Sequence, residues 1–401
     1  MLQGKTVLLG VTGGIAAYKM PNVARMLKKM HCNVHVLMTQ NATNFITATT
    51  FETLTGNKCL IDTFDRNFEF SVEHVALAKQ ADLVLLAPAT ANVIGKIANG
   101  IADDMLTTTV MACTCKVLVA PAMNHNMYHN SIVQENLEKL KRHGYEMIDP
   151  VCGMLANGDT GDGKLPSEET LVEYVLRELA FEKDMQGLKV LVTAGPTQEA
   201  IDPVRFISNH STGKMGYAIA KNAMLRGAEV TLVTGRTALE PPMFVKTVPV
   251  TSAKDMYQAV MECAKEQDII VKAAAVADYT PAHTADEKIK KSEGELSLAL
   301  EKTTDILAEL GKNKGNTVLC GFSMETEHML ENSRAKRKKK NLDMIAANNL
   351  KQQGAGFAGD TNVLTLITED WEKELALMSK DEAAKCLLDL SLIHISEPTR
   401  H

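Results

Sequence analysis

One long loop, residues 193–216, gathers side chains that could bind an anion or stabilise a charged reaction centre. The loop carries guanidinium, amide, hydroxyl and ammonium groups on Arg205, Asn209, Ser211, Thr212 and Lys214. An apolar strand is predicted at 188–192 and a helix near the end of the loop, an arrangement at which open α/β sheets bind nucleotides and other anions. The loop is far longer than an ordinary strand-to-helix turn, which favours a functional role. Its end, STGKMG, fails the Walker pattern because Met215 stands where Ser or Thr is needed.

Two lysine-rich segments and one alanine-rich segment follow later in the second half of the chain. They are EKIKK at 287–291, RAKRKKK at 334–340 and AAAVADYTP at 273–281. Small residues let a backbone approach a ligand closely, and Asp278 could bind a metal ion or a sugar hydroxyl. Taken alone, each lysine run is typical of a solvated face. The formal net charge of −6 and the lack of aromatic residues among the lysines do not indicate nucleic-acid binding.

Four polar or glycine-rich turns follow predicted strands in the first half of the chain. They are GVTGG at 10–14, TQNAT at 39–43, PATAN at 88–92 and PAMN at 121–124. A glycine-rich turn between a strand and a helix can cradle a phosphate, but this one lacks the GxGxxG spacing and is equally compatible with tight packing. Strands that alternate with helices predict a parallel sheet, with these turns at the carboxyl ends of its strands.

Length and composition predict a globular protein of two domains. The 401 residues are 45% hydrophobic and 23% charged. An amphipathic helix at 168–181 and a polar linker at 182–187 place the boundary between residues 184 and 185. No apolar run reaches the roughly 18 residues of a membrane span. Eight cysteines without a CxxC pair indicate reduced thiols in the cytoplasm.

From about residue 5 to about residue 389, the chain resembles the bifunctional coenzyme A biosynthesis flavoproteins. GVTGGIAAYK, VEHVALAKQAD, APATAN and APAMN resemble the phosphopantothenoylcysteine decarboxylase half, and residues 193–216 resemble the phosphopantothenate–cysteine ligase half. The resemblance implies a flavodoxin-like parallel-sheet domain at 1–184 and a Rossmann-like α/β ligase domain at 185–389. Residues 390–401 do not resemble the family. LSLIHISEPTR resembles a translated sequencing-adapter read, so we expect a non-native tail there.

For the first domain, the resemblance implies an FMN site and two groups beside the substrate. The implied FMN contacts are Gly13, Gly14, Thr39, Ala89, Thr90 and Asn92. His74 would be a catalytic base or positioning group, and Asn124 would contact the substrate carboxylate. In the family, FMN oxidises the cysteinyl thiol, carbon dioxide leaves, and the flavin reduces the product. Without the family motifs, His74 is more typical of a half-buried helix residue and Asn124 of a helix N-cap.

One position departs from the family in a way that affects this chemistry. The family's flap carries a cysteine that supplies a proton in the final reduction, whereas LANGD at 155–159 places Asn157 there. An amide cannot act as a thiol acid. Two interpretations remain open: Cys152, five residues upstream, substitutes for it, or the proton comes from water or another group. In the second case, completion is slow or lost.

For the second domain, the resemblance implies a CTP site and an acyl-transfer site. The positions that match CTP contacts are Asp278, Lys288, Phe322, Lys336 and Lys340, and the small residues Ala273, Ala274 and Ala275 let the backbone approach the ligand. Asn209 matches the residue assigned to conversion of the acyl-cytidylate, with Arg205 and Lys288 as further candidates. Mg²⁺ is expected as a bridge between phosphates, with Asp278 as a ligand. Thr304 stands where the family usually has proline, and we expect this difference to affect only the start of the following helix.

The resemblance also implies partners. The substrates would be 4′-phosphopantothenate, cysteine and CTP, and the assembly a homo-oligomer with trimeric flavin domains and paired ligase domains. Two competing hypotheses remain at this stage. One keeps the ligase but supposes a decarboxylase impaired by Asn157. The other is a flavin-binding regulatory protein with neither activity.

Overall fold

The computed structural model describes residues 1–63, 73–154, 160–290, 296–325, 328–349 and 359–396. The position of the family's flap cysteine, Asn157, lies outside these ranges. The chain divides into two compact units, Met1–Phe181 and Glu182–His401. Within the described residues, no helix has both the length and the apolar character that a membrane crossing requires.

A five-stranded parallel sheet forms the centre of the first unit. Its strands are β1 (Thr6–Val11), β2 (Asn33–Met38), β3 (Leu83–Ala89), β4 (Lys116–Pro121) and β5 (Glu146–Met147). They pair in the order β2-β1-β3-β4-β5. All residues of β1 and β3 are buried, as expected for parallel strands covered on both faces. This strand order is that of the predicted flavodoxin-like fold.

In the described residues, eight α-helices and a pair of antiparallel strands complete the first unit. The helices are α1 (Met20–Lys29), α2 (Ala48–Thr55), α3 (Glu73–Gln80), α4 (Ala91–Ala98), α5 (Met105–Ala112), α6 (His125–Tyr128), α7 (Ser131–Arg142) and α8 (Glu168–Leu179). Strands β6 (Val151–Met154) and β7 (Thr160–Lys164) pair antiparallel. After the GVTGG turn the chain forms a 3-10 turn, Ile15–Lys19, and then α1. Pro21 lies in the first turn of α1, where its missing N–H is tolerated.

A mixed eight-stranded sheet forms the centre of the second unit. Its strands, in chain order, are β8 (Lys189–Ala194), β11 (Glu229–Thr234), β12 (Lys246–Pro249), β13 (Ile269–Lys272), β16 (Val318–Glu325), β17 (Met344–Asn349), β19 (Leu364–Ile367) and β20 (Glu372–Glu374). They pair in the order β12-β11-β8-β13-β16-β17-β19-β20. The first five pairings are parallel and the last two antiparallel. The parallel part agrees with the predicted Rossmann-like fold.

Helices and short antiparallel pairs surround this sheet. The helices are α9 (Lys214–Leu225), α10 (Ala253–Cys263), α11 (Ile306–Lys312), α12 (Met329–Lys339) and α13 (Lys380–Ser396). The short pairs are β9 (Gln198–Ala200) with β10 (Phe206–Ser208), β14 (Tyr279–Pro281) with β15 (Leu300–Lys302), and β18 (Thr361–Asn362) with β21 (Met378–Ser379). The β9–β10 pair lies inside the stretch predicted to be one irregular loop.

The C-terminal part of the described chain differs from the sequence expectation. Strand β19 is followed by β20 and β21 before the last helix begins. Helix α13 continues past residue 389 to Ser396, so residues 390–396 of the expected tail are helical. Ser391 is buried, and its hydroxyl donates to the Leu387 carbonyl at 3.0 Å.

Arg226, at the end of α9, connects distant parts of the second unit. Its guanidinium is 4% exposed and donates to Asp184 at 2.8 Å and to Asp389 of α13 at 2.7 Å. The hydrogen bond from Arg226 holds the pKa of Asp184 below its usual range. Asp184, at the beginning of the unit, and Asp389, in its last helix, therefore both bind the buried guanidinium of Arg226.

The start of α9 approaches β8 so closely that only glycine fits at position 216. A Cβ added there would lie 2.6 Å from the Ala194 Cβ and 2.9 Å from the Thr193 carbonyl oxygen. We expect Gly216→Ala to destabilise the second unit by about 1–3 kcal/mol, because the helix must shift from the strand. Differential scanning calorimetry measures this as a lower transition temperature for that unit.

Gly95→Ala in α4 is the matched control. A Cβ at Gly95 would come no closer than 3.7 Å to any atom, the nearest being Asn136 Nδ2. Replacing an unhindered helical glycine is neutral or stabilising by up to about 1 kcal/mol. Equal transition temperatures for Gly216→Ala and the parent would refute the close-packing argument.

Candidate functional site

The second unit contains a cavity of about 440 Å³ at the carboxyl ends of β13, β16 and β17. Most of the residues predicted for a nucleotide and acyl-transfer site line it, namely Asn209, Ala273, Ala274, Ala275, Asp278, Phe322, Lys336 and Lys340. They come from segments that are far apart in the sequence. The parallel strands bring their following loops to one edge of the sheet, where such sites form.

Backbone hydrogen bonds fix the alanine segment at the wall of this cavity. Ala273 N–H donates to the Thr193 carbonyl at 3.2 Å, and Ala275 N–H donates to the Gly195 carbonyl at 2.9 Å. Ala274 N–H donates to the Thr193 hydroxyl at 3.1 Å. The loop after β13 is thus attached to the end of β8. The Asn209 amide then donates to the Ala275 carbonyl at 3.1 Å, which positions that side chain at the cavity.

Two predicted catalytic residues do not line the cavity. The Arg205 guanidinium pairs with Asp202 at 2.7 Å and donates to the Ile289 carbonyl at 3.1 Å. Asp202 is buried and also accepts from Ile289 N–H at 3.1 Å. Arg205 therefore holds the segment around Ile289 against the β9–β10 hairpin. Lys288, in that segment, is exposed to solvent.

Positive charge dominates the cavity lining. Its charged members are five lysines and two aspartates, Lys214, Lys272, Lys336, Lys340 and Lys380 with Asp278 and Asp305. Lys340 pairs with Asp305 at 2.7 Å, and Lys214 pairs with Asp360 at 2.7 Å. Lys336 donates to the Phe322 carbonyl at 3.1 Å. Ammonium groups that converge in a concave site attract a polyanion.

Two of these lysines, Lys272 and Lys380, were missed by the sequence reasoning, which had named Lys214 in the long loop. Burial, with a further contribution from Lys340, lowers the pKa of Lys272 from 10.5 to about 8. Burial, followed by Lys214, also lowers the pKa of Lys380. The sequence could have identified Lys272 as a site residue, because this lysine ends the apolar strand IIVK directly before the alanine segment. A charged group at the end of a buried strand faces the ligand edge of a parallel sheet.

The first unit contains a separate cavity of about 650 Å³. The predicted residues Gly13, Gly14, Thr90 and Asn124 line it, together with Tyr18, Lys19, Met127 and Lys164, which were not predicted. A Cβ at Gly13 would lie 2.5 Å from the Asn41 Cβ, so the turn packs there only because the residue is glycine. A cavity of this size, whose charged lining residues are Lys19 and Lys164, is large enough for a small molecule or a cofactor.

Hydrogen bonds at the strand ends shape this cavity. The buried Thr12 hydroxyl donates to the Pro88 carbonyl at 2.6 Å and accepts from Thr90 N–H at 3.0 Å. The Asn124 side chain caps α6 by accepting from Asn126 N–H at 2.9 Å while it also lines the cavity. The N-cap interpretation and the site interpretation of Asn124 are therefore both compatible with its position.

Five other predicted residues of the first unit are not among the residues lining the cavity. Thr39 accepts from Ala42 N–H at 3.3 Å and caps a 3-10 turn, while Ala89 is buried within β3. Asn92 is exposed on α4 and His74 is half-buried on α3. Cys152 is exposed on β6. Asn157 lies in the part of the chain that is not described.

Comparison with known proteins agrees with these two units. Residues 1–180 match the family described as "Flavoprotein", and residues 185–393 match the "DNA/pantothenate metabolism flavoprotein C-terminal domain". The chain is 46% identical over 384 residues to the coenzyme A biosynthesis bifunctional protein CoaBC of Bacillus subtilis, with 95% of each chain covered. It is 42% identical over 403 residues to CoaBC of Escherichia coli K12, with 100% of this chain and 99% of the relative covered.

The fold and the family matches define an α/β flavoprotein with two catalytic domains. The chain belongs to the CoaBC family of bifunctional coenzyme A biosynthesis proteins.

The low pKa of Lys272 predicts a specific pH dependence of stability. Between about pH 8 and 10.5 the folded chain binds fewer protons at Lys272 than the unfolded chain does. Lys272 therefore makes the free energy of unfolding rise with pH over that window. Below pH 8 the ammonium is charged while buried, and this lowers the free energy of unfolding by its full amount. We expect Lys272→Met to be more stable than the parent at pH 7, with the difference shrinking towards pH 10.

Thermal unfolding across pH 7–10 without nucleotide measures the effect. Lys254→Met, at an exposed position of α10, is the control and should show no pH-dependent difference. A constant offset between Lys272→Met and the parent across this range would contradict the assignment.

Proposed function

We propose that the chain performs two consecutive steps of coenzyme A biosynthesis. In the domain at 185–389, cysteine would be joined to 4′-phosphopantothenate at the expense of CTP. In the domain at 1–184, the product would be decarboxylated to 4′-phosphopantetheine with FMN. The observation that carries the proposal is that each unit of a chain from a bifunctional family has its own cavity, lined by residues that match the family's motifs.

The cationic cavity supports the nucleotide half of the proposal. A carboxylate is a poor acylating agent, so it must first be activated. The carboxylate of 4′-phosphopantothenate attacks the α-phosphate of CTP, which gives an acyl-cytidylate and pyrophosphate. Lys336, Lys340 and Lys272 line the cavity and would offset the charge of the triphosphate and of the transition state. Asp278 has the oxygen donors that Mg²⁺ prefers and would hold it against the phosphates.

Asn209 supports the second ligase step. The cysteine amine attacks the activated acyl carbon, negative charge develops on the acyl oxygen, and CMP leaves. The Asn209 amide lines the cavity and is held by its hydrogen bond to Ala275, so it needs little reorganisation to donate to that oxygen. Arg205 would act only indirectly, by supporting the hairpin and the segment that carries Lys288.

Asn209→Ala should bind CTP almost normally and form little amide product, with a loss of about 10²–10³ in kcat, because one oxyanion donor is removed. Binding is measured by calorimetry, and turnover by pyrophosphate release together with amide formation. Asn313→Ala, an exposed position at the end of α11, is the matched control. Normal amide formation by Asn209→Ala would remove Asn209 from the mechanism.

The first cavity supports the FMN half. The chemistry that FMN supplies when bound is reversible two-electron oxidation of the cysteinyl thiol. Gly13, Gly14 and Thr90 would hold the cofactor, because they meet at the carboxyl ends of β1 and β3. Asn124, which also lines the cavity, would orient the substrate carboxylate, and Lys19 and Lys164 could offset anionic charge.

The final protonation is the step that Asn157 puts in question. Cys152 is exposed and is not among the residues lining the cavity. This position supports a proton supplied by water or another group over one supplied by Cys152. Cytoplasmic location and homo-oligomerisation stay predictions from the resemblance.

Mass spectrometry of the products tests the whole proposal. Protein supplied with 4′-phosphopantothenate, cysteine, CTP, Mg²⁺ and FMN should accumulate 4′-phosphopantetheine. Cys152→Ala should do so at the parent rate, whereas Asn157→Cys, which restores the family residue, should equal or exceed it. A stop at phosphopantothenoylcysteine or at an oxidised decarboxylated species would show an impaired decarboxylase. No CTP-dependent pyrophosphate release would exclude the ligase.

A further inference from the structure

Three potential metal ligands lie together in the first unit, outside the residues that line its cavity. His125 begins α6 and His129 directly follows it, four residues apart and therefore on the same side of the turn. Their ring centroids are 4.4 Å apart. Asp162 of β7 completes the group, with Oδ2 3.1 Å from Nε2 of His129. One ligand atom from each residue lies within 4.8 Å of the others.

A second observation indicates that this group is incomplete without a ligand. Within the described chain, Nδ1 of His125 is buried and has no hydrogen-bond partner. Buried polar groups in folded proteins are almost always satisfied. Gly161 packs directly on this ring, since a Cβ there would lie 2.9 Å from Nδ1. The absence of a side chain at Gly161 therefore leaves the imidazole room beside the strand that carries Asp162.

From this geometry we propose that His125, His129 and Asp162 form a binding site for a divalent transition-metal ion, Zn²⁺ in the first instance. Two imidazole nitrogens of borderline softness and one hard carboxylate oxygen form a mixed set that suits Zn²⁺, whereas Mg²⁺ and Ca²⁺ prefer oxygen ligands alone. Nε2 of His129 and Oδ2 of Asp162 lie 3.1 Å apart. This distance is close to the spacing of two ligand atoms on a tetrahedral zinc ion. The side chains of His129 and Asp162 are 49% and 44% exposed, so water can occupy the remaining position.

The site would fasten β7 to α6. A backbone hydrogen bond already connects their flanking residues, from Met123 N–H to the Gly163 carbonyl at 3.0 Å. Gly163 and Lys164 of β7 and Asn124 before α6 line the first cavity. A metal bridge between Asp162 and the two histidines would therefore hold two walls of that cavity together. The proposal does not depend on which reaction occurs there.

Untagged, metal-free protein titrated with Zn²⁺ in a calorimeter tests the site. We expect one ion per chain, and at least about tenfold weaker binding in His129→Gln and in Asp162→Asn. His143→Gln, an exposed histidine at the end of α7, is the control and should bind as the parent does. Co²⁺ should give visible d–d absorption in the parent and the control that both ligand variants lose.

Hydrogen exchange distinguishes metal binding from a purely structural role of these side chains, because only metal binding makes the exchange rate depend on Zn²⁺. Adding Zn²⁺ should slow amide exchange in residues 123–129 and 160–164 of the parent and leave both ligand variants unchanged. Zn²⁺ binding that is equal in the parent and in both variants would show adventitious binding and overturn the proposal. So would Zn²⁺ binding that leaves exchange unchanged in both segments.

Discussion

The carboxyl ends of β8, β13 and β16 lie at one edge of a sheet because their ladder hydrogen bonds hold them parallel and in register. Parallel pairing requires each strand to be followed by a crossover, so the loops that leave these ends are collected side by side. The same constraint operates in the first unit, where Gly13 follows β1, Thr90 follows β3 and Asn124 lies just beyond β4. Both cavities result from this one property of parallel sheets.

Charge balance is the second constraint on the ligase cavity. Several ammonium groups share one concave surface, and the low pKa of Lys272 is a direct result of that crowding and of burial. Asp305 offsets part of the repulsion through Lys340, and the Phe322 carbonyl does so through Lys336. Because a polyanion would remove the remaining repulsion, the same arrangement that costs stability without ligand favours the binding of a polyanion.

Several polar side chains have a structural role and a proposed functional role at the same time. Asn124 caps α6, and Asn209 is tied to the Ala275 carbonyl. An asparagine fixed by one hydrogen bond keeps further donor and acceptor capacity for a ligand. Such residues are better positioned than a free side chain, since little conformational entropy is lost when a substrate binds.

The sequence by itself determined the family, the two α/β folds and most of the central strands. These features depend on local patterns, namely apolar runs that end in glycine-rich or polar turns, and on motifs long enough to be specific. Through the family resemblance it also predicted site roles for the alanine segment, Asn209, Lys336 and Lys340, which all line one cavity.

The tertiary structure decided which predicted residues meet. Arg205 and Lys288 were predicted beside Asn209 but lie away from the cavity lining, because the β9–β10 hairpin turns Arg205 towards Asp202. Lys272 and Lys380 belong to segments more than a hundred residues apart and line the same cavity. Likewise, Asp162 meets His129 because β7 pairs with β6 and is hydrogen-bonded through the Gly163 carbonyl to Met123 N–H. Distances between segments that are remote in sequence depend on strand register and packing, which no local pattern encodes.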